Sequence, residues 1–178
     1  LSLLDNLSFG GGGTLNTQAD LSVTLLASGM CHSVAMETPQ SWDTHDDIAD
    51  QNDLYRALFS GINDLVEGLI ANGLYEDSII VILSEMTRTP KLNQDGGKDH
   101  WPSTSAILIG GGLDGGRVLG GSSEDTLEAM PVNLSTGAVD TSGSTLNYES
   151  FVAGVLHAAG VDTSEYLPGV EVLHGIID

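Results

Sequence analysis

The chain has 178 residues and a mass of 18.5 kDa, the size of one domain and enough to bury a core. Apolar residues make up 40%, and no apolar run reaches the ~18–20 residues that cross a bilayer, so neither a disordered tail nor a membrane span is expected. Five Lys and Arg against 25 Asp and Glu give a formal charge of -20, which argues against a nucleic-acid partner and suits divalent cations, high salt or a secreted life.

Cys31 is the only cysteine, which excludes an internal disulfide and a thiolate zinc cluster. The first residues lack the charged and apolar regions of a signal peptide, and the chain reads as a piece of something longer. Residues 1–15 hold Gly10 to Gly13 and predict a flexible segment, with 16–178 as the folded part. Leu21, Leu25 and Leu26 predict a helix over 18–28 that stops at Gly29. Residues 31–36 predict a short strand, and 39–50 a polar loop carrying Trp42, Asp43, Thr44 and His45. The stripe Leu54, Leu58, Ile62, Leu65 and Leu69 predicts a long helix over 50–71, capped by Asp50 or Asn52 and ended by Asn72-Gly73.

The apolar run at 78–83 predicts a strand buried on both faces. A long loop over 84–103 follows, then a second buried strand over 104–109 closed by Gly110 to Gly112, and an edge strand over 117–119. Residues 121–146, rich in Ser, Thr, Gly and Asp, read as a surface excursion. Phe151, Val152, Val155 and Leu156 predict an amphipathic helix over 148–159 with Gly160 as its stop, before a tail with an apolar run at 170–173. No internal repeat is visible. The order of elements predicts an α/β fold with a parallel sheet, in which ligands bind beyond the carboxyl ends of the strands.

Two predicted loops meet that edge. One carries Asp43 and His45; the other carries Glu85, Arg88, Asp99 and His100. Carboxylates and imidazoles without cysteine suit zinc, manganese or iron. A carboxylate directly after a buried strand, as at Glu85, calls for a metal or a cationic partner, and Arg88 is the partner at hand. Of the five cations, Arg88, Lys91 and Lys98 fall between Glu85 and His100. They suit a phosphate or sulfate group, or they neutralise local carboxylates. His32, His157 and His174 read as packing or surface side chains. Gly110 to Gly112 and Gly115-Gly116 lack the spacing of a phosphate cradle, and Ser84 lacks a nucleophile-elbow context.

Five motifs in order carry a family resemblance. They are Ser41-Trp42-Asp43-Thr44-His45, Leu83-Ser84-Glu85-Met86-Thr87-Arg88-Thr89-Pro90, Gly97-Lys98-Asp99-His100-Trp101-Pro102, Leu108-Ile109-Gly110-Gly111-Gly112 and Gly115-Gly116-Arg117-Val118-Leu119-Gly120. Over about residues 20–120, and more loosely to the end, the chain resembles domain-of-unknown-function family 1501, a mostly bacterial, sulfatase-like branch of the alkaline phosphatase superfamily. The resemblance implies a three-layer α/β/α sandwich with a mostly parallel sheet and a two-metal site, where a Ser, Thr or modified Cys attacks a phosphate or sulfate ester. Asp43, His45 and His100 would hold one metal, and Glu85 would hold, or bridge to, the other. Asp99 would be a ligand or would orient His100, and Arg88 would contact the substrate anion.

The match covers the C-terminal half of the family domain, since nothing before Asp43 resembles the family's first metal-binding Asp or its nucleophile. Met86-Thr87 stands where many relatives have Phe-Gly. The resulting expectation is a periplasmic or extracellular hydrolase of anionic small-molecule or glycan esters. It would use divalent metal ions (zinc first; manganese, iron or calcium otherwise), with an N-terminal partner fragment or a second copy completing it. The alternatives are a structural or assembly protein with an incomplete or decayed site, and a calcium-dependent surface or glycan-binding module suggested by the Asp-rich loops.

Overall fold

A computed structural model describes residues 13–177. They divide into two compact units: the described residues up to Leu74 with Leu92–Lys98, and Tyr75–Lys91 with the residues from Asp99 onward. The expected flexible segment lies, through Gly12, outside the described residues.

The first unit is built on two helices, α1 (Leu15–Ala27) and α2 (Gln51–Ala71). Thr14 caps α1 by accepting from the Thr17 amide. Asp47 caps a single 3₁₀ turn, Ile48–Asp50, that runs into α2. The core is Leu15, Ala19 and Val23 of α1 with Ile62, Leu65 and Leu69 of α2. Gly61 and Gly68 form a notch on α2. A Cβ at Gly61 would lie 2.6 Å from the Leu15 side chain, and one at Gly68 would lie 2.7 Å from Val23, so α1 seats where α2 has no side chains. Asn16 ties the rim by donating to Asp64 at 2.6 Å and to Ser60 at 3.1 Å.

In the second unit β1 (Ile80–Ile82) pairs with β4 (Ile107–Ile109), and β2 (Thr87–Arg88) pairs with β3 (His100–Trp101). Both pairs are antiparallel, with Ile80 opposite Ile109 and Ile82 opposite Ile107 in the first. The expected three-layer sandwich with a mostly parallel sheet is therefore wrong. The described residues hold three α-helices and two separate two-stranded ribbons. The reason lies in the connection. Parallel neighbours need a crossover of a dozen or more residues, usually a helix. The chain between β1 and β4 instead folds back as the β2–β3 ribbon, so β4 returns antiparallel.

Three local expectations fall with it. Residues 31–36 join no strand. Residues 117–119 form no edge strand, and Val118 is 88% exposed. The strand β1 is half-buried rather than covered on both faces. Helix expectations fare better: α3 (Tyr148–Ala158) begins at Asn147, which accepts from the Ser150 amide at 2.8 Å. Each α-helix ends in one device. Met30, Leu74 and Val161 donate back to Leu25, Leu69 and Leu156, around Gly29, Gly73 and Gly160 at positive φ. No helix among the described residues is long and apolar enough to cross a membrane.

The excursion at 121–146 conceals a repeat of geometry at a period of ten residues. Ser122 bridges to Ala129, and Val132 to Val139. Ser123 and Asn133 each cap the turn that follows, accepting from the amides of Asp125 and Ser135. Leu127 and Gly137 donate back to the carbonyls of Ser123 and Asn133, both at positive φ. Val132, 2% exposed, anchors the second turn and pairs with Ser144 in both directions. The residue identities differ at nearly every step, which is why no repeat is visible in the sequence.

The tail docks on α3 through buried Leu173 and Ile176. A Cβ at Gly154 would lie 2.7 Å from the Leu173 carbonyl, so only glycine admits the tail there.

Candidate functional site

In the first unit the loop before α2 carries Asp43 and His45. Asp43 Oδ1 lies 2.8 Å from His45 Nδ1, and Asp46 Oδ1 lies 3.5 Å from Nε2. The first contact is the carboxylate–imidazole pairing that fixes a histidine's tautomer and orientation. The loop is pinned by its neighbours. Trp42 donates to the Thr38 hydroxyl at 2.7 Å and sets its ring edge-on to Tyr55, while the hydroxyl of buried Thr44 accepts from the Gln51 side-chain amide at 2.8 Å.

A second segment of the same unit, Leu92–Lys98, holds the His45 backbone. Asn93 donates its side-chain amide to the His45 carbonyl at 2.8 Å. Its carbonyl oxygen accepts from the amides of Asp95 and Gly97. A Cβ at Gly97 would collide with the His45 carbonyl, so this approach requires glycine. Asn93 and Asp46 were not among the residues expected from the sequence. The signal for Asn93 is its place before Asp95-Gly96-Gly97, a side-chain-capped turn.

In the second unit the β2–β3 ribbon places Arg88 directly opposite His100, so the two side chains leave the same face. The pairing continues outward: Thr89 donates its amide to the Asp99 carbonyl at 2.8 Å, and the Asp99 amide donates to the Thr89 hydroxyl at 3.1 Å. Glu85 precedes β2, and the Ser84 hydroxyl donates to its carboxylate at 3.1 Å. Its pKa is lowered from the usual glutamate range by its own backbone amide and by Ser84, with smaller contributions from the charges of His100 and Arg88. Glu85 is thus an anion in the field of both residues.

The structure therefore brings the expected residues together in two groups. Asp43 stands with His45 in the first unit; Glu85, Arg88 and His100 stand together in the second. The oxygen and imidazole donors have the chemistry a divalent metal requires. Among the described residues no three His, Cys, Asp or Glu side chains form a group able to hold a metal ion.

A family model described as "Protein of unknown function (DUF1501)" matches residues 21–171. No curated protein and no solved structure matches the chain.

Proposed function

The chain belongs to the DUF1501 family, and from that premise we propose that it is the metal-dependent part of a sulfatase-like hydrolase of phosphate or sulfate esters, acting in the periplasm or outside the cell. The observation that carries the reading is the β2–β3 ribbon, which sets Arg88 and His100 side by side with anionic Glu85 before them. Arg88 supplies the planar, permanently charged donor that an ester oxyanion needs. Glu85, already ionised, needs no proton loss to serve as a ligand. His45 is oriented through Asp43 and held at its backbone by Asn93. Asp43 and His45 in the first unit, and Glu85, Asp99 and His100 in the second, are the residues that would hold divalent metal, zinc first. The metal would polarise the ester oxygens when bound. Asp43 acts in part by orienting His45. The nucleophile is assigned to a partner fragment or a second copy.

The test is hydrolysis of aryl phosphate and aryl sulfate esters by the full chain, supplied in turn with zinc and with manganese. Arg88→Ala is expected to raise KM about 10- to 100-fold, the loss of one charge-assisted contact to an anion. An unchanged KM in an active preparation would remove Arg88 from the site. Absence of hydrolysis under every condition would favour the second reading, an assembly protein. That reading is supported by exposed apolar side chains at the β1–β4 ribbon, Ile107 of β4 at 45% and Leu83, just after β1, at 49%.

A further inference from the structure

The strands β1 and β4 read Ile80-Val81-Ile82 and Ile107-Leu108-Ile109, apolar at every position. Successive side chains of a strand point to opposite faces, so both faces of this ribbon are apolar and both call for cover. Within the second unit the ribbon packs against no other helix or strand. Ile107 is 45% exposed, and Leu108 and Ile109 are half-buried. A two-stranded ribbon alone is marginal in water and needs a further strand or a helix to hold it.

The backbone is as open as the faces. In an antiparallel pair, alternate residues of each strand turn their amide and carbonyl away from the partner strand. Among the described residues, the outward groups of β1 and β4 meet no backbone hydrogen-bond partner. Proteins blunt such edges with charge, and here the two edges differ. Asp77 and Glu85 lie four residues to either side of Val81 in β1. Antiparallel pairing of two β1 strands about Val81 would set Asp77 of one copy against Glu85 of the other, and like charges directly opposite are destabilising. Around β4, no Asp, Glu, Lys or Arg occurs from Trp101 to Leu113. Its lead-in, Thr104 to Ala106, is exposed as well. β4 is therefore the edge at which two copies of this acidic chain meet without like charges facing across the seam.

We propose that the chain dimerises through β4, with two copies of the strand paired antiparallel in a four-stranded sheet of order β1-β4-β4-β1. A two-fold axis makes one strand complementary to itself. Main-chain hydrogen bonds hold the seam, and Ile107 and Ile109 on one face, with Leu108 on the other, carry the apolar surface across it. The rest of the molecule opposes the encounter, since two bodies of charge -20 repel until salt screens them. The screening length falls from ~30 Å at ~0.01 M salt to ~3 Å at ~1 M, so the dimer strengthens with salt. This surface uses none of the residues assigned to ester hydrolysis and stands or falls independently of that reading.

The test is sedimentation velocity of the full chain at low and at high salt, in the wild type, in Ile107→Lys and in Leu83→Lys. Leu83, 49% exposed just after β1, controls for the added charge. The wild type is expected to pass from monomer to dimer as salt rises. Ile107→Lys should weaken the dimer about 10-fold or more, even though it lowers the net negative charge, because a lysine on an edge strand blocks pairing. Leu83→Lys should dimerise as the wild type does. Amide hydrogen exchange of the unsubstituted chain reads the same seam without a variant: Thr104 to Ile109 should gain protection as protein concentration rises at high salt. A monomer at every salt would overturn the proposal and leave the edge to a strand of a different protein. Dimerisation unchanged in Ile107→Lys, its loss in both lysine variants alike, or exchange in β4 that ignores concentration would overturn it too.

Discussion

In the first unit, α1 and α2 pair their backbone groups within themselves and bury one apolar stripe each, with Gly61 and Gly68 as the notch that lets them close. In the second unit, the stretch over 121–146 builds its structure from capped turns. Ser123, Asn133 and Asp140 each hold a turn by accepting from amides two residues on, around the buried side chain of Val132. The first architecture depends on side-chain volume at a few positions. The second depends on polar atoms that hold the backbone and bury little. The two regions should therefore fail in different ways, and each unit carries one tryptophan, Trp42 in the first and Trp101 in the second, to report on it.

The largest effect is expected at Leu69, 2% exposed in the helix pair. Leu69→Ala should cost about 2–5 kcal/mol, the range for emptying a buried leucine site. Urea unfolding followed through Trp42 would show it, and a fluorescence midpoint that does not move would mean the α1–α2 core is misplaced. The notch gives the next test. Gly61→Ala places a methyl against Leu15, and overpacking of about 1–3 kcal/mol should outweigh the ~1 kcal/mol gained in helix propensity. A net gain in Tm would show that the helices do not approach closely enough for Leu15 to fill the notch.

The turn region makes the opposite prediction. Leu127 is the one non-glycine at positive φ among the described residues, and it holds the position that Gly137 holds in the following turn. Leu127→Gly should stabilise the chain by about 1 kcal/mol, the strain of an L-residue in that conformation less the entropy of glycine. A lower Tm in thermal unfolding would break the ten-residue correspondence.

The smallest effect concerns pH. The Asp140 pKa is lowered by hydrogen bonds from the Ser142 hydroxyl and amide, and that of Asp162 by those from the Ser164 amide and hydroxyl. A carboxylate whose folded pKa is depressed contributes stability above its unfolded pKa and loses it as pH falls through the folded one. The Trp101 transition should therefore weaken as pH drops from the ordinary aspartate range downward, and Asp140→Asn should flatten that slope. An identical slope in the substituted chain would contradict the role given to the turn.

The same contrast explains what the sequence made legible. Helix periodicity and glycine stops are local signals, and the helices and their ends at Gly29, Gly73 and Gly160 follow from them. Sheet partners are not local. The runs at 78–83 and 104–109 look alike whether they lie in a parallel sheet or pair with each other, and nothing in their residues chooses between the two. At the site, Glu85, Arg88 and His100 were legible as residue types around a loop. That Arg88 and His100 are aligned by a ribbon depends on backbone pairing that residue identities do not encode. His157 of α3 and His174 of the tail also meet, with ring centroids 4.8 Å apart, and this was hidden for a different reason: it is set by where the tail docks on Gly154, not by either histidine.

The most direct test of the ester-hydrolase reading is the metal content of purified, unchelated chain, measured per chain by elemental mass spectrometry in the wild type and in His45→Ala/His100→Ala. The wild type should carry about one or two more equivalents of zinc, manganese or iron than the doubly substituted chain, as a site of that class requires. Equal metal content in the two, after reconstitution with each ion, would contradict it.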